Sequence, residues 1–173
     1  MTPLPAALLP GGKPKSFIAW RLERTAYAPT WDKGIGAEKV GGRWSPKGLP
    51  AIYASLDPAT TILEVAVHAG FKTLDTVAHT LIEIEIEILN PKEVHIVQPK
   101  DVPNPNWLRP GSVGAGQQSF GKELLLKHPF VLVPCVISTH SWNLLINPDL
   151  AAGKFKEHSN EAFALDTRLH PPA

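Results

Sequence analysis

Residues 80–88 read TLIEIEIEI, an unbroken alternation in which Ile82, Ile84, Ile86 and Ile88 point one way and Glu83, Glu85 and Glu87 the other. A helix winds 3.6 residues per turn and would scatter these isoleucines around its axis. A strand, with its period of two, collects them on one face. The chain must therefore build a sheet with one face in a core and the other in water. Glu83, Glu85 and Glu87 in a row also suggest acid/base or metal chemistry, but a solvated strand face is the expected reading, since carboxylates stay outside unless paired.

Other segments fall in around this strand. Short strands are expected at 16–22 (SFIAWRL), 51–55 (AIYAS) and 94–99 (VHIVQP), and a fully buried one at 130–138 (FVLVPCVIS), where the apolar run is continuous. Residues 57–70 (DPATTILEVAVHAG) predict a helix. Asp57 is a suitable N-cap, Pro58 fits the first helical position and Gly70 the stop. Ala59, Ile62, Leu63, Ala66 and Val67 give that helix its expected apolar face. Residues 122–128 (KELLLKH) predict a short helix. Residues 23–42 read as irregular. Residues 99–121, rich in Pro, Gly and Asn and carrying Trp107, read as a long loop expected to lie over a functional site. Mixed strands with few helices give an α+β fold, with small mixed or antiparallel sheets. There is no internal repeat. The expected organisation is a flexible tail over 1–15 and a single domain over 16–173.

Composition narrows the function. The 173 residues carry 17 Lys and Arg against 16 Asp and Glu, a net charge of +1. Such a balance lacks the basic stripe of a nucleic-acid binder and the attraction to an anionic membrane. No apolar run is long enough to span a bilayer. The opening MTPLPAALLPGGKPK has no basic residue before its apolar patch and is broken by prolines, so it is read as a tail rather than a signal peptide. The single cysteine, Cys135, permits no internal disulfide and suits a reducing compartment, so a cytoplasmic location is expected. The seven histidines fall in no HExxH pattern and there is no CxxC, so no metal site is expected.

Three features carry chemistry. In GGRW (41–44) the glycines permit close backbone approach to a ligand, and Arg43 offers a planar fork of donors suited to phosphate. Tyr53, in an otherwise small and apolar strand, is placed to stack on a planar ring; the competing reading is a core tyrosine whose hydroxyl is bonded locally. Glu64 interrupts the apolar helix, and His68, one turn on, shares its face. A carboxylate in such a position either faces water or serves a site.

Together these stretches resemble the RES domain family, named for its Arg, Glu and Ser. The resemblance rests on FIAWRL (17–22), GGRWSPKGLPAIYAS (41–55), ATTILEVAVH (59–68), VLVPCVIS (131–138), WNLLINPD (142–149) and FALDTRL (163–169), which run in the family's order. It implies a fold similar to that of the ADP-ribosylating toxins of the diphtheria type. It implies the toxin of a bacterial toxin–antitoxin system, paired with an Xre-like antitoxin and acting on NAD+ as substrate. Some members deplete NAD+, and at least some attach ADP-ribose to a protein. By that resemblance Glu64, Tyr53 and Arg43 are the catalytic candidates. Arg43 and Tyr53, with Arg21, His68 and Cys135, are the candidates for holding NAD+. One position departs from the pattern: Cys135 stands where the family has Ser after Val-Pro. Its other reading is a small buried hydrophobe. The acceptor of ADP-ribose, water or a protein, is open. The alternative function is a catalytically weak protein-binding module of the same fold.

Overall fold

The computed structural model describes residues 1–12, 15–109 and 113–169. Its strands are β1 (Ser16–Arg24), β2 (Ile52–Ser55), β3 (His79–Glu87), β4 (Val94–Ile96), β5 (Phe130–Pro134), β6 (Trp142–Ile146) and β7 (Phe155–Phe163). Its α-helices are α1 (Ile35–Val40), α2 (Pro58–Ala69), α3 (Phe71–Thr76) and α4 (Ala115–Leu125). The strands form one seven-stranded sheet in the order β4-β5-β6-β2-β1-β3-β7. Only β4 and β5 pair in parallel; every other pairing is antiparallel. The expected α+β class holds, with a single large sheet in place of several small ones.

The alternating stretch forms β3 and behaves as its pattern requires. Ile82, Ile84 and Ile86 are fully buried in a cluster with Phe17, Ile52, Phe130, Leu144 and Trp142. Burial of each such side chain contributes about 1.5–3 kcal/mol. On the opposite face Glu83 accepts from the Ser159 hydroxyl, and Glu85 and Glu87 pair with Lys156. These carboxylates are cross-strand partners of β7, not a catalytic group.

β7 was not anticipated. It is an edge strand, exposed along almost its whole length, so its sequence FKEHSNEAF shows no alternation. The stretch expected to be irregular holds a 3-10 segment, Thr25–Lys33, followed by α1. Within that segment Trp31 is buried against the isoleucine cluster, meeting Phe155 edge-on at 5.8 Å between ring centres. Helix α4 begins at Ala115, well before the expected KELLLKH. Its buried residues are Gln117, Gly121 and Leu125, a face too mixed for hydropathy to reveal. The segment expected to be a loose tail also packs on the sheet. Ala7 and Leu8 join the core cluster, and the Trp142 indole donates to the Thr2 carbonyl at 3.1 Å.

Helix α2 starts and stops where the sequence placed it. Asp57 Oδ1 accepts from the Thr60 backbone N–H at 2.7 Å, Pro58 opens the first turn, and Gly70, at φ +82°, ends the helix. Its buried face differs from expectation. Thr60, Thr61 and Ala66 are buried with Ile62 and Val65 beside them, whereas Ala59 is exposed, as are Leu63 at 36% and Val67 at 60%. The Thr61 hydroxyl donates to the Trp20 carbonyl of β1 at 2.8 Å. That bond lets a polar residue occupy the inner face and turns the apolar pair outward.

One seam in the sheet decides where a ligand can enter. β1 and β3 pair along their whole length, from Ser16↔Glu87 to Arg24↔His79. β1 and β2 share a single pair, Trp20↔Ser55. Past it they separate, and the Tyr53 carbonyl of β2 is met by Arg21 Nη1 at 2.7 Å instead of by a β1 amide. The sheet is therefore two halves joined at one point. Among the described residues no helix is long and apolar enough to cross a membrane.

Candidate functional site

The separation of β1 from β2, roofed by α2 and α1, opens a cleft of about 910 Å³. That falls within the roughly 300–1,000 Å³ usual for small-molecule sites. Arg21, Arg43, Tyr53, Glu64 and His68 all line it. A smaller hollow of about 590 Å³, bordered by Trp31, Lys33, Asp149 and Phe155, contains none of these residues.

Glu64 stands on the cleft side of α2, its side chain 24% exposed. Its Oε1 accepts from the Asn143 side-chain amide at 2.6 Å and from the Cys135 thiol at 3.2 Å. Its Oε2 lies 3.8 Å from the His68 ring. The i,i+4 spacing does bring Glu64 and His68 together, but the His68 side chain is 81% exposed at the rim.

Cys135 follows the buried β5 and is itself fully buried, so it stands behind Glu64 rather than on the cleft wall. Its Sγ also accepts from the Ser138 backbone N–H at 3.2 Å. Burial, with the adjacent Glu64 charge adding to it, pushes the thiol up to about 11. At neutral pH it is a protonated donor to the carboxylate. It is therefore more than a space-filling hydrophobe and is not poised as a nucleophile.

Tyr53 is among the residues lining the cleft, and its hydroxyl is occupied locally. The oxygen accepts from the Trp44 backbone N–H at 3.1 Å and lies 2.9 Å from Ser45 Oγ. Burial raises the phenol above its ordinary value. This is the second reading of Tyr53, a tyrosine packed against the core whose hydroxyl is bonded locally and fastens the 41–45 loop. Gly42 is required by this contact, since a Cβ there would lie 2.5 Å from the Tyr53 oxygen.

Arg43 lines the cleft and donates from Nη1 to the Trp107 carbonyl at 3.1 Å. The loop that carries Trp107 is thus tied to Arg43, but none of its described residues is among those lining the cleft, so it does not lie over the site in the way expected. Arg21 is more fully committed. Nη1 holds the Tyr53 carbonyl and Nη2 pairs with Glu23, so it serves first as a brace across the open seam.

Sequence reasoning missed Asn143 and Ser55. Asn143 is the one polar residue in the apolar strand WNLLI, which was the available signal. It also missed His79, a buried cleft residue whose Nδ1 lies 2.6 Å from the Val77 carbonyl. Among the described residues no three His, Cys, Asp or Glu side chains gather as a metal site.

The sequence model of the RES domain matches residues 18–166. The chain belongs to the RES domain family. Its relatives include "Toxin Res" of Yersinia enterocolitica, 37% identical over 76% of this chain and 84% of that protein. A second "Toxin Res", from Photorhabdus laumondii, is 29% identical over 88% of this chain and 97% of its own. The "Prs ADP-ribosylating toxin" of a Sphingobium species is 34% identical over 75% of this chain and 81% of that one. The fold matches a chain in the crystal structure of the M. tuberculosis MbcT–MbcA toxin–antitoxin complex, with a TM-score of 0.71, 22% identity, and 86% and 85% of the two chains covered. In this RES domain the residues Arg43, Tyr53 and Glu64 meet in one cleft, although they come from a loop, a strand and a helix.

Proposed function

We propose that this RES domain cleaves the nicotinamide–ribose bond of NAD+ and passes ADP-ribose to water or to a protein side chain. In the cell it would be the toxin of a bacterial toxin–antitoxin pair, cytoplasmic and restrained by an Xre-like antitoxin. The observation that carries the reading is the Glu64 carboxylate. One of its oxygens is held by two donors, the other lies 3.8 Å from His68, and the residue lines a cleft that Arg43 and Tyr53 also line. Support also comes from a relative named as an ADP-ribosylating toxin and from a structural neighbour solved with its antitoxin.

The chemistry follows from the leaving group. Nicotinamide departs readily because its ring is cationic while attached, and its loss leaves an oxocarbenium-like ribose. A carboxylate held beside that centre stabilises the growing positive charge, and it does so more strongly in the transition state than in the ground state. Glu64 is suited to this work through Oε2. The Arg43 fork is suited to the pyrophosphate or the adjoining ribose, and the Tyr53 ring to stacking on nicotinamide. His68 stands at the rim.

The test is incubation with NAD+ and candidate acceptor proteins, with free nicotinamide and ADP-ribose mass on protein as readouts. Glu64→Gln keeps the shape and removes the charge, and should lower nicotinamide release about 100-fold or more. Release at the wild-type rate from Glu64→Gln would overturn the reading. A folded wild type that binds partners but leaves NAD+ intact would favour the protein-binding module.

A further inference from the structure

Asn143 makes no separate contribution to the chemistry outlined above, yet its side chain is held at both ends. Its Oδ1 accepts from the Ser55 hydroxyl at 2.8 Å, and its Nδ2 donates to Glu64 Oε1 at 2.6 Å. The polarity of this chain is fixed. An ionised carboxylate only accepts, so the amide must turn its NH2 toward Glu64, and the Ser55 hydroxyl must then donate to the amide oxygen. Ser55 is also the β2 residue at the single β1–β2 pair. Directly across that pair, the Trp20 carbonyl receives the Thr61 hydroxyl of α2. The helix carrying Glu64 is thus anchored to the apex of the opening on one side by Thr61 and on the other by Glu64 itself.

We propose that Asn143, oriented by Ser55, is a positioning residue for Glu64: it occupies Oε1 so that Oε2 is the oxygen presented to the ribose. The proposal rests on the NAD+-cleaving reading. A free carboxylate on a helix samples several rotamers. A donor on Oε1 with its own orientation locked by Ser55 reduces that freedom, and a small misplacement of a charge in such a site costs rate rather than binding. Cys135 adds a second donor to the same oxygen and leaves the asymmetry between Oε1 and Oε2 intact.

The test uses Asn143→Asp, which is isosteric, and Ser55→Ala, which removes only the hydroxyl. In Asn143→Asp a second carboxylate replaces the donor facing Glu64. Like charges at this distance disfavour ionisation of the pair, so the acidic limb of the kcat profile should move to higher pH. The kcat at neutral pH should fall about 100-fold with KM little changed. Ser55→Ala should lose about tenfold in kcat, because the amide keeps its N–H toward Glu64 but loses the bond that holds its other end in place. A contact that merely supported the fold would lower the melting temperature and leave the pH profile in place. Wild-type kcat and pH profile in Asn143→Asp would overturn the proposal, as would a KM change with unchanged kcat. A second readout does not depend on turnover. The 13C-carboxyl resonance of Glu64 should move in Asn143→Asp relative to the wild type at neutral pH, and an unmoved resonance would overturn the contact. A wild type that releases no nicotinamide but shows the moved resonance would sink the NAD+ reading while leaving the Asn143–Glu64 contact standing.

Discussion

Alkylation of Cys135 separates a structural thiol from a reactive one. Its thiol lies at about 11 against an ordinary 9.0. Near pH 7.5 an ordinary thiol is about 3% thiolate, whereas this one is about 0.03%, so chemistry alone should slow iodoacetamide about 100-fold. Full burial adds to that. The reaction should quicken roughly tenfold per pH unit until the pH nears 11. The sign for stability is determined as well. The folded state holds this proton more tightly than the unfolded chain, so its contribution is complete below about pH 9 and is lost as pH rises through about 11. The full shift corresponds to up to about 3 kcal/mol. Cys135→Ser should keep nicotinamide release near wild type, since a hydroxyl also donates to Glu64, and should remove the alkaline loss of stability. The assays are mass spectrometry of alkylation against pH, nicotinamide release before and after iodoacetamide, and melting temperature from pH 7 to 11. Rapid modification at neutral pH, a dead serine variant and an ADP-ribose adduct on Cys135 would together refute the donor role and make the protein a thiol enzyme.

Arg43→Ala should weaken NAD+ binding about tenfold or more while kcat changes less, because a phosphate grip acts in ground and transition states alike; unchanged binding by calorimetry on a slow variant would make Arg43 structural. Tyr53→Phe should lose about 1–3 kcal/mol of stability through the orphaned Trp44 N–H but keep most activity. Tyr53→Ala, which also loses the ring, should be worse in both, and equal loss of activity in the two variants would shift the role to the hydroxyl. Gly121→Ala would bring a Cβ within 2.0 Å of the Trp44 carbonyl oxygen, so α4 must lift from the 41–45 loop. A loss of about 3 kcal/mol or more is expected, and an unaltered thermal midpoint would show that the helix moves freely there.

The parts of the fold that were legible in the sequence are those where one local pattern decides the outcome. The alternation of β3 and the Asp57-Pro58…Gly70 signals of α2 needed no tertiary information. α2's inner face was misread because Thr61 is buried by a hydrogen bond to a strand remote in sequence, which no hydropathy pattern encodes. β7 escaped because an exposed edge strand has no inner and outer face to alternate between. The site follows the same division. Glu64 stood out as a carboxylate among apolar neighbours, and the structure places it on the cleft. Asn143 and Ser55 matter only through a chain of bonds between β2, β6 and α2, and that juxtaposition is a product of folding.

The one-pair seam between β1 and β2 leaves the angle between two ladders to side-chain packing rather than to backbone hydrogen bonds. Each half keeps its own continuous hydrogen bonding, β7-β3-β1 on one side and β4-β5-β6-β2 on the other. One core cluster packs side chains from both ladders together, Phe17 and Ile84 from one and Ile52 and Leu144 from the other. The angle between the cleft walls is therefore set by that shared packing and by the Arg21–Tyr53 bond across the gap. Cleft width then depends on the volumes of core residues far from the substrate.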